Sequence, residues 1–271
     1  MELLRKMLLY SVLSLVAVIM AGPFLWLLST SLKSTGEIFA WPPSLFPAEL
    51  KLANYPAAWN AVPFGTYFIN SIIVTLTTVL LTVGFAALAA FPLARLNFPG
   101  RSIAVGMVLA TLIIPQEVIV IPLYTTVLHL GLADTLAGVI LPFSVSAFGV
   151  FLLRQAYLAI PRELEEAAAI DGASTIRIWW SILLPLVKPA AAALAILSFI
   201  GTWGDFLWPL IVLRSQEHYT LQVGLSTMIQ SFAANYRLVA AGAVIATVPV
   251  IIVFLAMQKT FVRGILMGSG K

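Results

Sequence analysis

Apolar residues run along the chain in six long segments, and short polar stretches separate them. Each segment has about 20 residues or more, the length that an α-helix needs to cross the hydrocarbon core of a bilayer. The runs are too long and too evenly apolar for the alternating strands of an outer-membrane barrel. The pattern therefore predicts an all-α membrane protein with six transmembrane helices, at about 7–28, 70–94, 102–124, 135–153, 189–213 and 238–257.

Composition supports lipid as the main solvent of the chain. Apolar residues make up 61% of the 271 positions and charged residues 10%, against about 25% charged residues in an ordinary soluble domain. The mean hydropathy is +1.03, which excludes both a soluble globular domain and a disordered chain. The absence of cysteine excludes disulfides, thiolate metal sites and cysteine nucleophiles.

Basic residues predict the orientation in the membrane. Arg5 and Lys6 precede the first segment, which is too long for a signal peptide and has no A-x-A cleavage site after it, so we expect an uncleaved anchor. With the N-terminus inside, eleven of the 15 Lys and Arg residues lie on the inner side. The positive-inside rule then predicts that both termini are cytoplasmic. The four outer basic residues are Lys33, Lys51, Arg214 and Arg237.

The first outer loop, at about 29–69, is long and rich in proline and tryptophan. This composition is typical of an extended, stiffened segment on the membrane face. Two interpretations stay open, a plain connector with interfacial tryptophans and a docking surface for an external protein.

One inner loop, at 159–188, holds seven of the 26 charged residues. Its pattern predicts a helix, a turn and a second helix: Pro161 suits a first helical position, Gly172 a left-handed helix end and Ser174 an N-cap. Leu164, Ala167, Ala168 and Asp171 form a narrow face of mostly small side chains, and Pro185 ends the second helix. The two interpretations are a compact knob that another protein contacts closely and an amphipathic helix lying on the bilayer.

The spacing in this loop resembles the EAA loop of ABC importer permeases. Glu166-Ala167-Ala168 is followed after three residues by Gly172, and nine residues later by Ile182-x-Leu184-Pro185, on the cytoplasmic side between the fourth and fifth segments. Further stretches are similar to the carbohydrate-uptake branch, specifically the maltose-type second permease subunit, namely 166–174, 206–210, 220–225 and 258–265. Gly204 departs from the branch, where asparagine often precedes Asp205.

The resemblance implies the type I ABC importer permease fold, with residues 1–271 as a single transmembrane permease domain and 159–188 as its coupling loop. It also implies a heterodimer with a second permease, two ATPase subunits, an extracytoplasmic solute-binding protein and a sugar substrate in a bacterial inner membrane. The residues that it assigns to ATPase coupling are Glu163, Glu166, Ala167, Ala168, Asp171, Gly172, Ile182, Leu184 and Pro185. We expect Glu165 to be a solvated charge, and we expect no nucleic-acid partner.

The chain is not expected to be an enzyme. It lacks the phosphate-binding motif G-x-x-x-x-G-K-[ST], since the terminal Gly268-Ser269-Gly270-Lys271 has the wrong spacing. We therefore expect no cofactor in this chain, and the resemblance assigns ATP and Mg²⁺ to the partner ATPases.

Two acidic residues fall in or near the predicted spans. A charge at the bilayer centre costs roughly 2.5–3.5 kcal/mol on insertion scales, so both are expected to face protein, a water-filled path or the outer boundary. Glu117 follows Pro115 in the third segment, and Asp205 lies between Trp203 and Trp208. These four residues are candidates for the substrate path, although the two tryptophans also fit an interfacial aromatic belt, and Glu117 fits a contact with the second permease.

The leading hypothesis is a permease subunit that moves a sugar, such as a di- or oligosaccharide or a related polyol, into the cytoplasm by alternating access. One alternative is the same machine with another solute, such as glycerol phosphate, a peptide or an anion. A self-contained secondary transporter or channel needs ion-coupling or filter residues, for which two intramembrane acids give little support. A membrane-embedded enzyme is disfavoured because no clustered histidines, nucleophile elbow or paired carboxylates occur.

Overall fold

The structure is a computed structural model that describes residues 2–231 and 235–268, with side chains for 4–229 and 235–258. Those residues form helices and connecting loops and no strand. Lys271, which was counted among the inner basic residues, lies outside the described residues, as do Ser269 and Gly270. The α-helices are α1 Glu2–Ser31, α2 Thr35–Ile38, α3 Asn54–Ala61, α4 Phe64–Arg95, α5 Arg101–Thr111, α6 Gln116–His129, α7 Leu136–Ile140, α8 Ala147–Leu158, α9 Glu163–Ile170, α10 Thr175–Ile178, α11 Leu184–Leu186, α12 Lys188–Gly204, α13 Leu207–Val212, α14 Leu221–Ser231 and α15 Tyr236–Gly268.

Three of these helices are long and apolar enough to cross a membrane as single elements. They are Leu4–Ser31 within α1, Phe64–Arg95 and Tyr236–Gln258 within α15. They coincide with the first, second and sixth apolar segments, in which no charged residue interrupts the run. A continuous helix satisfies its own backbone groups, which is the condition that lipid imposes.

The third and fourth predicted segments are bent pairs of helices rather than straight spans, and the fifth, at 189–213, is divided at Asp205 between α12 and α13. Arg101–Thr111 and Gln116–His129 meet at 103°, Leu136–Phe143 and Ala147–Leu158 at 41°, and Thr175–Leu186 and Lys188–Gly204 at 68°. The sequence predicted the interruption of the third segment at Pro115-Gln116-Glu117 but no break in the fourth or fifth, and the described residues reach six spans only if each bent pair counts as one.

The chain divides into two compact units. The first comprises the chain up to Gly65 together with Leu221–Val248, and the second comprises Thr66–Thr220 and the chain from Pro249 onward. In the first unit, Ala58 of α3 packs with Met228 of α14 and with Leu238 and Ala241 of α15. Lys33 is also buried there, where its ammonium donates to the Ser44 carbonyl and lies 4.7 Å from the centre of the Trp26 ring.

The second unit has two apolar clusters, one toward each end of α4. Near the C-terminal end, Ala86, Ala90 and Leu93 of α4 pack against Leu153 of α8 and Leu194 of α12. Near the N-terminal end, a second cluster joins Val74 of α4 to the residues around α7 and α13: Val127, Val139, Ile140, Trp208, Val212 and Leu213. The candidate sites described below lie against these two clusters.

A glycine allows the close crossing at the centre of the first of these clusters. A Cβ atom added at Gly149 of α8 would lie 2.9 Å from Leu194 Cδ2 and 3.2 Å from Ala86 Cβ. Small residues let membrane helices approach closely, because packing rather than the hydrophobic effect drives their association in lipid.

We predict that Gly149→Ile destabilises the protein, because the added atoms overpack the contact between α4, α8 and α12, at a cost of about 1–3 kcal/mol. The matched control is Gly106→Ile, since Gly106 is also helical and a Cβ there meets nothing within 4 Å. Thermal unfolding of the detergent-solubilised protein measures the difference. Equal unfolding temperatures for the two variants would contradict this packing.

Candidate functional site

The loop that precedes α12 forms a short acidic helix, α9. The helix begins at Glu163 with Arg162 as its N-cap, and Glu163, Glu165 and Glu166 lie in its first turn. Pro161 precedes the N-cap, so it is not the first helical residue as the sequence predicted. Three carboxylates at the N-terminal end complement the positive end of the helix dipole.

Helix α9 ends in a tight glycine turn. Gly172 has φ +81°, the left-handed conformation that glycine adopts without steric cost. The Gly172 N–H donates to the Ala169 carbonyl and the Ala173 N–H to the Ala168 carbonyl, both at 3.0 Å, which together form a Schellman motif. The predicted turn at Gly172 is therefore present, and it fixes the direction in which the chain leaves α9.

The next segment starts where the sequence predicted and ends later. The Ser174 hydroxyl accepts the Arg177 N–H at 3.4 Å and caps α10. A π-helical turn, Trp179–Leu183, then leads into α11. Pro185 lies inside α11 and does not end it. The change of direction comes at Val187, and α12 begins at Lys188 with Pro189 in its first turn. Proline is tolerated at Pro185 because the first turn of α11 requires no N–H donor there.

Two side chains of the segment anchor it to the second unit. Leu183 is fully buried in the cluster at the C-terminal end of α4, and Leu184 packs against the same cluster. Ile182 is half-buried. The Trp179 indole donates to the Tyr157 hydroxyl of α8 at 3.0 Å.

The face of α9 that turns toward the protein differs from the predicted one. Ala168 packs against the apolar cluster, whereas Leu164, Ala167 and Asp171 are exposed. The predicted face therefore does not bury as a unit, because the helix rests on the adjacent row of residues that includes Ala168 and Glu165. Glu163 and Glu166 are exposed, so their carboxylates are accessible to a partner.

Glu165 is not a solvated charge, contrary to the expectation. Its Oε1 atom lies 2.8 Å from Nε of Arg95, and the two side chains are 20% and 4% exposed. The angles at the two atoms do not fit a hydrogen bond, so the contact is an ion pair. Arg95 Nη2 also donates to the Ile160 carbonyl at 2.6 Å. The sequence did not indicate this pair, because its members are 70 positions apart and Arg95 entered only the count of inner basic residues.

A cavity of about 430 Å³ lies in the second unit, within the range of about 300–1,000 Å³ usual for small-molecule sites. Its wall includes three residues at helix breaks: Gln116 starts α6, Ser146 caps α8, and Asp205 follows α12. Hydroxyl groups from α4 and α12 add further polar atoms to the wall, namely Thr78, Thr82, Ser198 and Thr202.

The two acidic candidates of the substrate path differ in position. Asp205 lines the cavity, and its Oδ1 accepts the Trp208 N–H at 3.4 Å at the start of α13. Glu117 is exposed in the first turn of α6 and does not line the cavity, whereas its neighbour Gln116 does. The break at Pro115 was expected, but the sequence did not distinguish which of the two residues after it faces the cavity.

Trp203 and Trp208 are buried and do not line the cavity. Trp203 stacks on Phe199 with ring centres 5.8 Å apart, and the Trp208 indole donates to the Gly138 carbonyl at 3.3 Å. Their placement corresponds to core packing and favours neither the sugar contact nor the interfacial belt.

A polar junction around Asp134 lies in the second unit, outside the cavity wall. The Asp134 carboxylate accepts the Ser215 hydroxyl and the N–H groups of Ser215 and Arg214, at 2.9 and 2.8 Å for the two amides. These bonds, with a smaller contribution from His218, hold the pKa of the Asp134 carboxyl well below its ordinary value. The junction thus ties the turn before α7 to the segment after α13. Across the described ranges, no group of three His, Asp or Glu side chains is arranged to hold a metal ion.

Comparison with known proteins identifies the family. A family model described as "Binding-protein-dependent transport system inner membrane component" matches residues 82–267, which is more than half of the chain. The chain belongs to this family. The match includes the acidic loop and the cavity, and the resemblance to ABC importer permeases found in the sequence is confirmed. The location in a bacterial inner membrane is confirmed as well.

Relatives within the family carry different solutes. The permease is 39% identical over 252 residues to the arabinooligosaccharides transport system permease protein AraQ of Bacillus subtilis, covering 92% of this chain and 90% of that protein. It is 32% identical over 237 residues to the sn-glycerol-3-phosphate transport system permease protein UgpE of Yersinia pestis, covering 84% of each. Among solved structures, a chain of a bacterial ABC transporter that imports the acidic polysaccharide alginate superposes with a TM-score of 0.85 at 27% identity, over 96% of this permease and 97% of that chain.

Proposed function

We propose that this chain is one of two permease subunits of an ATP-driven importer that moves a neutral di- or oligosaccharide into the cytoplasm by alternating access. Membership of the transport family and the similarity to AraQ support this proposal. The observation that carries it is the exposed acidic helix α9, which a glycine turn and buried contacts hold at a fixed position on the second unit.

The proposed topology has six spans, with α12 as the fifth and each of the other two bent pairs counted as one, and both termini in the cytoplasm. The charge asymmetry of the sequence supports this orientation. The loop 159–188 is then cytoplasmic, and the Asp134 junction lies on the outer side, where a solute-binding protein delivers the substrate. The chain acts as a single permease domain together with a homologous second permease.

In the proposed coupling, α9 binds in a groove of a partner ATPase. Glu163 and Glu166 are exposed and available for ion pairs, and Ala167 and Asp171 form part of the contact. Closure of the two ATPases on ATP and Mg²⁺ moves the loop, and Gly172 keeps its geometry. Leu184 and its buried neighbour Leu183 transmit the movement to α12, with Ile182 and Pro185 shaping the segment. Ala168 is assigned to the contact with the permease's own cluster rather than to the ATPase.

The cavity supports a neutral, hydroxyl-rich substrate. Its described wall offers the Gln116 amide and several hydroxyls as donors, and Asp205 as the charged acceptor. No Lys or Arg is among the described residues that line it, and Glu117 offsets the positive end of the α6 dipole. A carboxylate accepts hydrogen bonds from sugar hydroxyls and repels a phosphate, which disfavours glycerol phosphate as the substrate of this chain.

The proposed function is tested on the complex purified from its native membrane through a tag on this chain and reconstituted with its binding protein. We expect a bound ATPase whose hydrolysis rises when the binding protein and a neutral oligosaccharide are added together. Purification without an ATPase would overturn the importer in favour of a self-contained transporter. Stimulation by glycerol phosphate but by none of the oligosaccharides would overturn the sugar assignment.

Substitution of Asp205 tests the charge in the cavity. Asparagine also caps helices, so Asp205→Asn keeps the start of α13 and removes the repulsion, which is roughly 1–4 kcal/mol for charges about 4 Å apart. We expect the affinity of the solubilised complex for glycerol phosphate, relative to a neutral disaccharide, to rise at least about fivefold in calorimetric titrations. The control is Asp134→Asn, which removes a carboxylate that does not line the cavity. An unchanged ratio in Asp205→Asn would contradict the role given to this charge.

Substitution of Gly172 tests the rigid turn. The left-handed conformation costs an ordinary L-residue roughly 1–2 kcal/mol, and β-branched valine adapts least well, whereas asparagine tolerates it. We expect Gly172→Val to lower sugar uptake per ATP hydrolysed several-fold while the spans remain inserted, and Gly172→Asn to stay close to the original protein. Equal uptake per ATP in the two variants would show that the turn geometry is not needed for coupling.

A further inference from the structure

The ion pair between Arg95 and Glu165 lies where the long helix α4 meets the coupling loop. Arg95 is the last residue of α4, and its side chain is 4% exposed. A guanidinium so shielded from water needs compensating partners. Those partners are the Glu165 carboxylate within α9 and the Ile160 carbonyl just before α9. A single side chain therefore holds both the entry to α9 and its first turn.

The remaining contacts of α9 with α4 are sparse. A cleft of about 280 Å³ lies beside the ion pair, and its wall includes Phe91, Arg95, Glu165 and Ala169. The ion pair thus bridges a gap rather than reinforcing a packed interface. An eight-residue helix is also too short to be stable alone, so its orientation depends on these few attachments.

The three carboxylates of α9 have different surroundings. Glu165 pairs with Arg95, Glu166 is exposed in the wall of the cleft beside this pair, and Glu163 is exposed and does not line the cleft. Two other arginines near the same end of α4 bond to backbone carbonyls: Arg154 Nε donates to Leu93 at 3.1 Å, and Arg101 donates to Leu93 and Ala94 at 2.9 Å. Of these three arginines, only Arg95 joins α4 to α9.

We propose that Arg95 and Glu165 are positioning residues that transmit the movement of α9 to α4, so that ATP hydrolysis is converted into movement of the span. This inference rests on the proposed function, and it adds a second route of transmission beside the one through Leu183 and α12. Loss of the pair releases the entry and the first turn of α9 from α4, and the ATPases then close without carrying α4 with them.

The test uses the complete importer in proteoliposomes and measures both ATP hydrolysis and sugar uptake. We expect Arg95→Gln and Glu165→Gln each to lower sugar uptake per ATP at least about fivefold, the lower end of usual coupling strengths, with the ATPases still bound. The charge exchange Arg95→Glu with Glu165→Arg re-forms the ion pair in reverse but loses the donor to the Ile160 carbonyl, so it should restore at least about half of the original ratio. The matched control, Arg154→Gln, removes a neighbouring cation that bonds only to a carbonyl and should leave the ratio unchanged.

The inference is overturned if the single variants keep the original ratio of sugar uptake to ATP hydrolysis. This includes a proportional loss of hydrolysis and uptake, which is what a merely structural role produces. If neither single variant assembles, the charge exchange decides: an assembled complex with at least about half of the original ratio supports the pair, and one that does not assemble overturns it. An original complex that lacks a bound ATPase would instead contradict the proposed function itself.

Discussion

A backbone within lipid has to satisfy its own hydrogen bonds, and this constraint organises the molecule. Where the helices α1, α4 and α15 are continuous, the requirement is met without help. Where a helix breaks inside an apolar segment, the freed groups need protein or water around them. Three such breaks place Gln116, Ser146 and Asp205 on the wall of one cavity. The polar groups at these breaks, which would be costly in lipid, therefore line one cavity.

Charged side chains near the C-terminal end of α4 also differ in their surroundings. Arg95 and Glu165 face each other there, while Glu163 and Glu166 are exposed. The ion pair attaches α9 to α4, and the exposed carboxylates remain accessible to a partner. In the proposed coupling the two roles belong to different carboxylates of one short helix, so ATPase binding need not compete with attachment to α4.

The sequence was most informative where the decisive interactions are local. The three continuous helices follow from uninterrupted apolar runs, and the turn at Gly172 and the cap at Ser174 follow from residues that act on their own backbone. Prediction failed where the decisive partner is distant. The inward direction of Glu165 depends on Arg95, and the burial of Trp203 and Trp208 depends on aromatic and backbone neighbours from other helices. Pro185 misled because proline was taken to end a helix, whereas in the structure it stands in the first turn of one.

The hydrogen bonds of the Asp134 junction connect two segments of the second unit. One carboxylate receives several donors from the segment after α13, while the Asp134 N–H donates to the Val212 carbonyl at 2.9 Å. The start of α7 and the end of α13 are therefore joined by several hydrogen bonds. Separating the two helices here would cost all of these bonds together, so α7 and α13 are expected to move as one body.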